Sequence, residues 1–273
     1  MNQSLLDAMR AAGLEPVKPI ELIEGKVVRY RPVGDKAGST NGWVVWHERP
    51  VQFAAFGSWK TGALHHWRMT SNTPQTAAER AEIRRQTQAM HTARAAAEAA
   101  VQEAARAKAA KLWARARPAT NAHPYLQTKC VPCYGLRQLR DMLLVPARDS
   151  AGVIQTIQFI GADGTKRFLT GGRISGSYFS IGRPLAQILI AEGLATASTL
   201  RQATGNAVAV CFSCGNLLPV ALALRQKYPR LRLVVCADDD RATPGNPGLT
   251  HALAAAQAVG GYLAVPQFSG GVV

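Results

Sequence analysis

Acidic residues are scarce in this 273-residue chain: 17 Asp and Glu stand against 32 Lys and Arg, a formal charge of +15. Cysteine is scarcer still. There are five, an odd number, and none precedes Cys130. At that low and odd number, reduced thiols in a cytoplasmic protein are expected. No apolar run approaches membrane-spanning length, and the start lacks the apolar core of a signal peptide. No membrane partner is therefore expected. The sequence Gly-x4-Gly-Lys-Ser/Thr does not occur, so the chain has no recognisable P-loop.

The charge is spread unevenly. Residues 1–120 hold 18 basic and 10 acidic side chains, and residues 121–184 hold 8 and 3. The last 89 residues hold only four acids: Glu192, Asp238, Asp239 and Asp240. A basic front and a small acidic cluster behind it suit a polyanion held by one region and chemistry done by another.

Residues 3–12 carry Leu5, Leu6 and Met9 at helical spacing, and Gly13, Pro16 and Pro19 stop them. Short β-like runs follow at 25–31, 42–47 and 51–56, separated by glycine-rich turns, which predicts a small antiparallel sheet. Trp43, Trp46, Trp59 and Trp67 all lie here among basic side chains. Core packing competes with base stacking for each of them. Trp59 and Trp67, in a turn-rich stretch with Lys60, are the pair expected to be exposed. Thr73-Pro74 reads as a helix N-cap with Pro at N1. Residues 74–117 are rich in Ala, Arg, Gln and Glu, with Ile83, Met90, Val101, Leu112 and Trp113 the only sizeable apolar groups. They predict one long connecting helix or a helical hairpin. Residues 125–137 read as a compact linker. Strands are expected at 142–147, 153–159 and 178–181, with Lys166 to Leu169 leading into Gly171-Gly172-Arg173.

From Gln187 the pattern becomes β-α-β-α-β-α-β. Apolar runs at 187–191, 208–212, 233–236 and 262–265 alternate with helical stretches at 194–204, 217–227 and 249–259. Such an alternation predicts a parallel sheet with right-handed crossovers. The predicted fold class is α/β. The predicted organisation is a Trp-rich α+β domain at 1–71, a helical connector at 72–120, a basic β-rich subdomain at 121–184, the parallel-sheet domain at 185–268 and a loose tail at 269–273.

Ligands of open α/β sheets bind at the carboxyl ends of the strands. Glu192 follows one such strand and Asp238-Asp239-Asp240 another. Adjacent acids repel one another unless a cation sits among them, and hard oxygen ligands suit Mg²⁺. Such a site fits metal-assisted phosphoryl transfer, while a helix cap with a solvated turn is the plain alternative. Lys166, Arg167 and Arg173 are the expected phosphate contacts. Cys130–Cys133 and Cys211–Cys214 both have Cys-x2-Cys spacing, but 77 residues separate the pairs. No zinc is expected.

Glu192-Gly-Leu-Ala-Thr-Ala197 and Cys236-Ala-Asp-Asp-Asp-Arg241, with the loop Pro244-Gly-Asn-Pro-Gly248, resemble the signature elements of Toprim-type bacterial DNA primases, in their plasmid and satellite-phage branch. Leu144 to Gly152 and Gly164 to Leu169 resemble the basic subdomain that precedes Toprim in primases. Gly42-Trp43 and Phe56 to Gly62 resemble the start of conjugation-type primases. The resemblance implies that Glu192 is an acid–base or metal group and that Asp238 and Asp240 hold Mg²⁺ or Mn²⁺. It makes Lys166 a nucleotide or nucleic-acid contact, with Arg241 beside the acids. The implied activity is primer synthesis from nucleoside triphosphates on single-stranded DNA, with a separate replicative helicase as partner because no helicase motor follows. The resemblance has departures. The amino-terminal domain carries no zinc ribbon. Many Toprim proteins also have an acid four residues after the glutamate, where this chain has Thr196, and Asp239 is the residue placed to compensate. A Toprim nuclease and a non-catalytic single-strand-binding protein are the competing readings.

Overall fold

The computed structural model describes residues 3–48, 52–69, 77–240 and 243–267. The Thr73-Pro74 cap, Arg241, the tail and the side chains of Ile83 and Met90 lie outside the described residues.

Two compact units divide the chain, 1–94 and 95–273. In the first, α1 (Gln3–Ala11) buries Leu5 and Met9, one turn apart on the same face. It ends where Gly13 turns to a φ of +69° and the Leu14 amide reaches the Met9 carbonyl, a geometry that glycine tolerates and other residues resist. Four strands follow as an antiparallel meander: β1 (Val27–Tyr30), β2 (Gly42–His47), β3 (Phe53–Ser58) and β4 (Leu64–Arg68). Val44, Ala54, Phe56 and Trp67 share one face and pack with the α1 residues.

The sequence gives no expectation of β4, and this strand corrects the reading of Trp67. Trp67 is opposite Ala54 in the β3–β4 pair and only 8% exposed. Its ring lies 5.8 Å from that of Trp46, and its indole N–H donates to the Ser4 hydroxyl at 3.2 Å. Strand alternation, invisible in a turn-rich segment, turns this indole inward.

The helix α2 (Ala77–Arg115) is continuous over 39 residues, which excludes the hairpin alternative. Its last turns pack on a sheet: Ala109 and Ala116 are buried with Leu144, Ile154 and Ile157, and Leu112 and Trp113 lie against them. That sheet is antiparallel, in the order β5 (Arg117–Pro118), β6 (Arg137–Leu139), β7 (Met142–Arg148), β8 (Ile154–Ile160), β9 (Lys166–Phe168). The expected linker contains a short helix, α3 (Pro124–Thr128). His123 caps it, its Nδ1 accepting from the Tyr125 amide while Nε2 donates to the Asp141 carbonyl at 2.9 Å.

The second sheet has the order β10 (Phe179–Ile181), β12 (Ala207–Val210), β11 (Gln187–Ala191), β13 (Arg232–Cys236), β14 (Tyr262–Ala264). The last four are parallel, and β10 runs antiparallel along β12. The strand that the sequence groups with the β-rich segment thus closes the edge of the parallel sheet. Among the connecting helices, α4 (Leu194–Thr204) contributes Leu194 and Ala197 to a core shared with Leu143, Val145 and Ile160 of the antiparallel sheet. On the other face, α5 (Leu217–Lys227) and α6 (Pro247–Ala258) cover Ile188, Ile190, Leu233 and Val235. Among the described residues no helix is long and apolar enough to cross a membrane.

Candidate active site

The strands β11 and β13 are parallel neighbours in the register Ala191↔Cys236. Glu192 and the Asp238–Asp240 run therefore leave the same sheet edge side by side. The backbone around Glu192 is held by its neighbour: the Phe212 amide donates to the Glu192 carbonyl at 2.7 Å and the Cys211 amide to Ala191 at 2.8 Å. Phe212 then takes a φ of +73°, which turns the chain so that the Cys214 N–H points at the Glu192 carboxylate. Asn216 locks this turn from behind. Its amide donates to the Cys211 and Ser177 carbonyls at 2.8 and 2.9 Å and accepts from the Gly176 amide at 2.9 Å. All its strong hydrogen-bonding groups are used in a buried setting, where an unmade bond would be costly.

The second strand end is held by the loop that follows. Asn246, at a φ of 39°, caps α6 through its carbonyl oxygen and also accepts from the Asp240 amide at 3.0 Å. Its amide donates to the Asp239 carboxylate at 2.8 Å. Gly248 packs so closely that a Cβ there would lie 2.4 Å from the Asp238 carbonyl oxygen and 3.1 Å from Asp240 Oδ2.

Charge coupling binds these groups together. The Glu192 carboxyl is pushed above the ordinary range, first by partial burial and then by Asp238 and Asp240; the Cys214 N–H and His251 oppose the shift. Asp238 is pushed up by burial and by Asp240, with Lys166 opposing. Lys166, at the start of β9, has its own pKa lowered by desolvation and by Lys129, against the pull of Glu192 and Asp238. Its ammonium stands 5.7 Å from the centre of the Tyr125 ring. Lys166, Glu192, Asp238 and Asp240 thus share one field, drawn from three strands of two sheets. Asp239, between the two coupled aspartates, is instead engaged by Asn246.

Two of the expected phosphate contacts stand elsewhere. Lys166 is opposite Ile160 and Arg167 opposite Phe159, so strand alternation puts them on opposite faces of the sheet. The Arg167 guanidinium lies 5.6 Å from the Phe159 ring, on the face that α2 covers, and not toward the acids. Arg173 lies 3.7 Å from the Asp149 carboxylate, and its loop packs beside α2, where a Cβ on Gly171 would meet Val101. In the first unit Trp59 is 55% exposed and Lys60 pairs with Asp35 at 2.9 Å. The sequence reading missed His251, Lys129, Asn216 and Asn246. Only Asn246 had a local signal, Asn-Pro as a cap with proline at N1.

Among the described residues no three His, Cys, Asp or Glu side chains are already gathered as a metal site. The donor chemistry nonetheless suits a hard divalent ion: carboxylates raised by partial burial and by mutual repulsion are groups that a cation stabilises in the charged form. The cysteines do not form one such set. Cys130 is exposed, Cys211 is fully buried, and Cys133 Sγ faces the Ala119 carbonyl at 3.5 Å.

A family model described as the Toprim domain matches residues 187–266. The chain is 33% identical over 262 residues to a DNA primase TraC of Escherichia coli, which covers 92% of this chain and 25% of that protein. It is 32% identical over 284 residues to another Escherichia coli DNA primase TraC, covering 98% of this chain and 20% of the relative. The chain thus spans about a quarter or less of the length of the curated relatives it matches. Among solved structures, the primase fragment of the bacteriophage T7 primase-helicase protein is similar at a TM-score of 0.43 and 14% identity, over 57% of this chain and 68% of that one. Residues 187–266 thus match the Toprim domain, and nine-tenths of the chain is similar to a part of the DNA primases TraC.

Proposed function

We propose that this chain is the catalytic part of a DNA primase, joining nucleotides on a single-stranded DNA template in plasmid or mobile-element replication. The observation that carries the reading is the shared field of Glu192, Asp238 and Asp240 at adjacent strand ends, faced by Lys166. Asp238 and Asp240 would hold Mg²⁺ or Mn²⁺. When bound, such an ion supplies positive charge against the charge that develops on a transferring phosphate. The rest of the chemistry belongs to the protein. Glu192, its affinity for a proton raised, takes the proton from the 3′-hydroxyl that attacks the α-phosphate of the incoming nucleoside triphosphate, and pyrophosphate leaves. Lys166 neutralises phosphate oxygens of the incoming nucleoside triphosphate or the template. The Asn246–Gly248 loop fixes the aspartates so that no reorganisation is needed when substrate arrives. A helicase would supply the single strand.

The test is primer synthesis on short single-stranded templates with labelled nucleotides and Mg²⁺ or Mn²⁺. Labelled oligomers from the wild type, lost in Asp238→Ala, are the expected result. Shortened template without incorporation would replace the reading by that of a Toprim nuclease. Neither product, with template still bound, would leave a binding protein.

A further inference from the structure

The four-stranded sheet of the first unit has one face packed on α1, and among the described residues of that unit no element covers the other. The register places three rows across the open face: Arg29, Trp43, Gly57 and Leu64; Val27, Val45, Ala55 and His66; and His47, Phe53 and Arg68. No Asp or Glu occurs in any of the four strands. Arg29, His66 and Arg68 are exposed. Val27 and Leu64 are each 56% exposed and Trp59 55%. Of the nearby acids, Glu24 is engaged by His47 and the Glu48 amide, and Asp35 by Lys60.

Two ring pairs lie on this face, His47 stacked with Phe53 and, larger, Trp43 with Trp59. The two indole ring centres are 5.7 Å apart and their planes tilt by 37°. Gly57 makes room for the indole pair. A Cβ there would stand 2.9 Å from Trp43 Cζ2 and 2.1 Å from the Ala63 carbonyl oxygen, so Trp43 lies across the sheet over a bare backbone.

We infer that this open sheet face binds single-stranded nucleic acid, with Trp43 and Trp59 stacking on bases and Arg29, His66 and Arg68 meeting phosphates. The occupant is chosen by charge. Large aromatic rings set among cations, with no acid on the strands, match a polyanion with flat bases. A protein surface would call for a more apolar centre with mixed charge around it. The inference deepens the proposed function, since it rests on a single-stranded template, and it assigns the template a holding surface in the first unit.

The test titrates the full chain into a labelled oligothymidylate of about twelve nucleotides, a length within the usual site size of single-strand binders. Binding is read by anisotropy and by quenching of tryptophan fluorescence. Trp59→Ala is expected to weaken binding about ten-fold and to lose part of the quench, on the scale of one base–aromatic stack. Trp59→Phe should restore most of the affinity. Arg29→Ala and Arg68→Ala should each lower the log–log salt slope by about 0.7, the value for one phosphate on a single strand. Wild-type affinity and slope in all these variants would overturn the inference. Equal binding of a duplex of the same length, weakened equally by Trp59→Ala, would overturn it too. Nucleotide incorporation is measured beside it. A chain that incorporates nothing yet loses the oligomer in Trp59→Ala refutes the primase reading alone. A chain that incorporates normally, with Trp59→Ala binding as the wild type, refutes this inference alone.

Discussion

Glu192 and Asp238 both hold their protons more tightly than free carboxylates, whose pKa is about 4. Between that value and the raised one, the folded chain binds more protons than the unfolded chain. The stability tied to these two groups is thus fully present below the ordinary carboxylate pKa and is lost as pH rises through the raised one. In the presence of a chelator, the thermal midpoint is expected to fall over that window, and millimolar Mg²⁺ or Mn²⁺ should raise it on the alkaline side. Glu192→Gln or Asp238→Asn should flatten the profile, because the repelled charge is gone. A melting series across pH, with and without ion, checks this. An unchanged midpoint on ion addition would remove the metal from the reading. Lys166 opposes the repulsion at Asp238, whereas its neighbour Arg167 turns to Phe159.

At the scale of elements, the site depends on two turns at neighbouring strand ends. One is the bend at Phe212 held by Asn216; the other is the loop that returns Asn246 and Gly248 to the aspartates. Gly248→Ala would push a methyl to 2.4 Å from the Asp238 carbonyl oxygen, so strand end or helix must move. Shifts of this size at a reacting centre cost about 10²-fold in rate. Incorporation is expected to drop by that order while unfolding stays cooperative. Comparing the rate with the thermal midpoint separates displacement of the site from loss of the fold. Wild-type rate in Gly248→Ala would show that the loop does not position the aspartates.

For the whole molecule, the antiparallel and parallel sheets of the second unit meet in one core, where Leu143, Val145 and Ile160 pack with Phe179, Leu189 and Val208. The parallel sheet alone would expose that face. A fragment of 95–267 is expected to unfold in a single transition. A fragment of 185–267 lacks both the covering sheet and β10, so β12 becomes an open edge, and it should bind hydrophobic dyes and self-associate. Dye fluorescence and sedimentation of the two fragments test this. A monomeric, cooperatively folding short fragment would show that the shared core contributes little.

Much of this was legible along the chain. The apolar runs and their spacing determined the parallel strands, because a strand covered on both faces must be apolar throughout. Glu192 and the aspartates could be placed at strand ends, since their position follows from local order alone. The alanine-rich stretch determined a helix, and α1 announced its buried face through Leu5 and Met9. Tertiary structure alone decided which side chains share a face or a field. Trp67 turned inward because β4 pairs with β3, and Arg167 left the site because β9 alternates. The edge strand β10 joined β12 across 25 residues that carry no pairing signal. His251, Lys129 and Asn216 reached the site through packing of distant segments. Periodicity is written in neighbours along the chain. Convergence is a matter of which sheet each strand joins, and only burial of the shared core selects that.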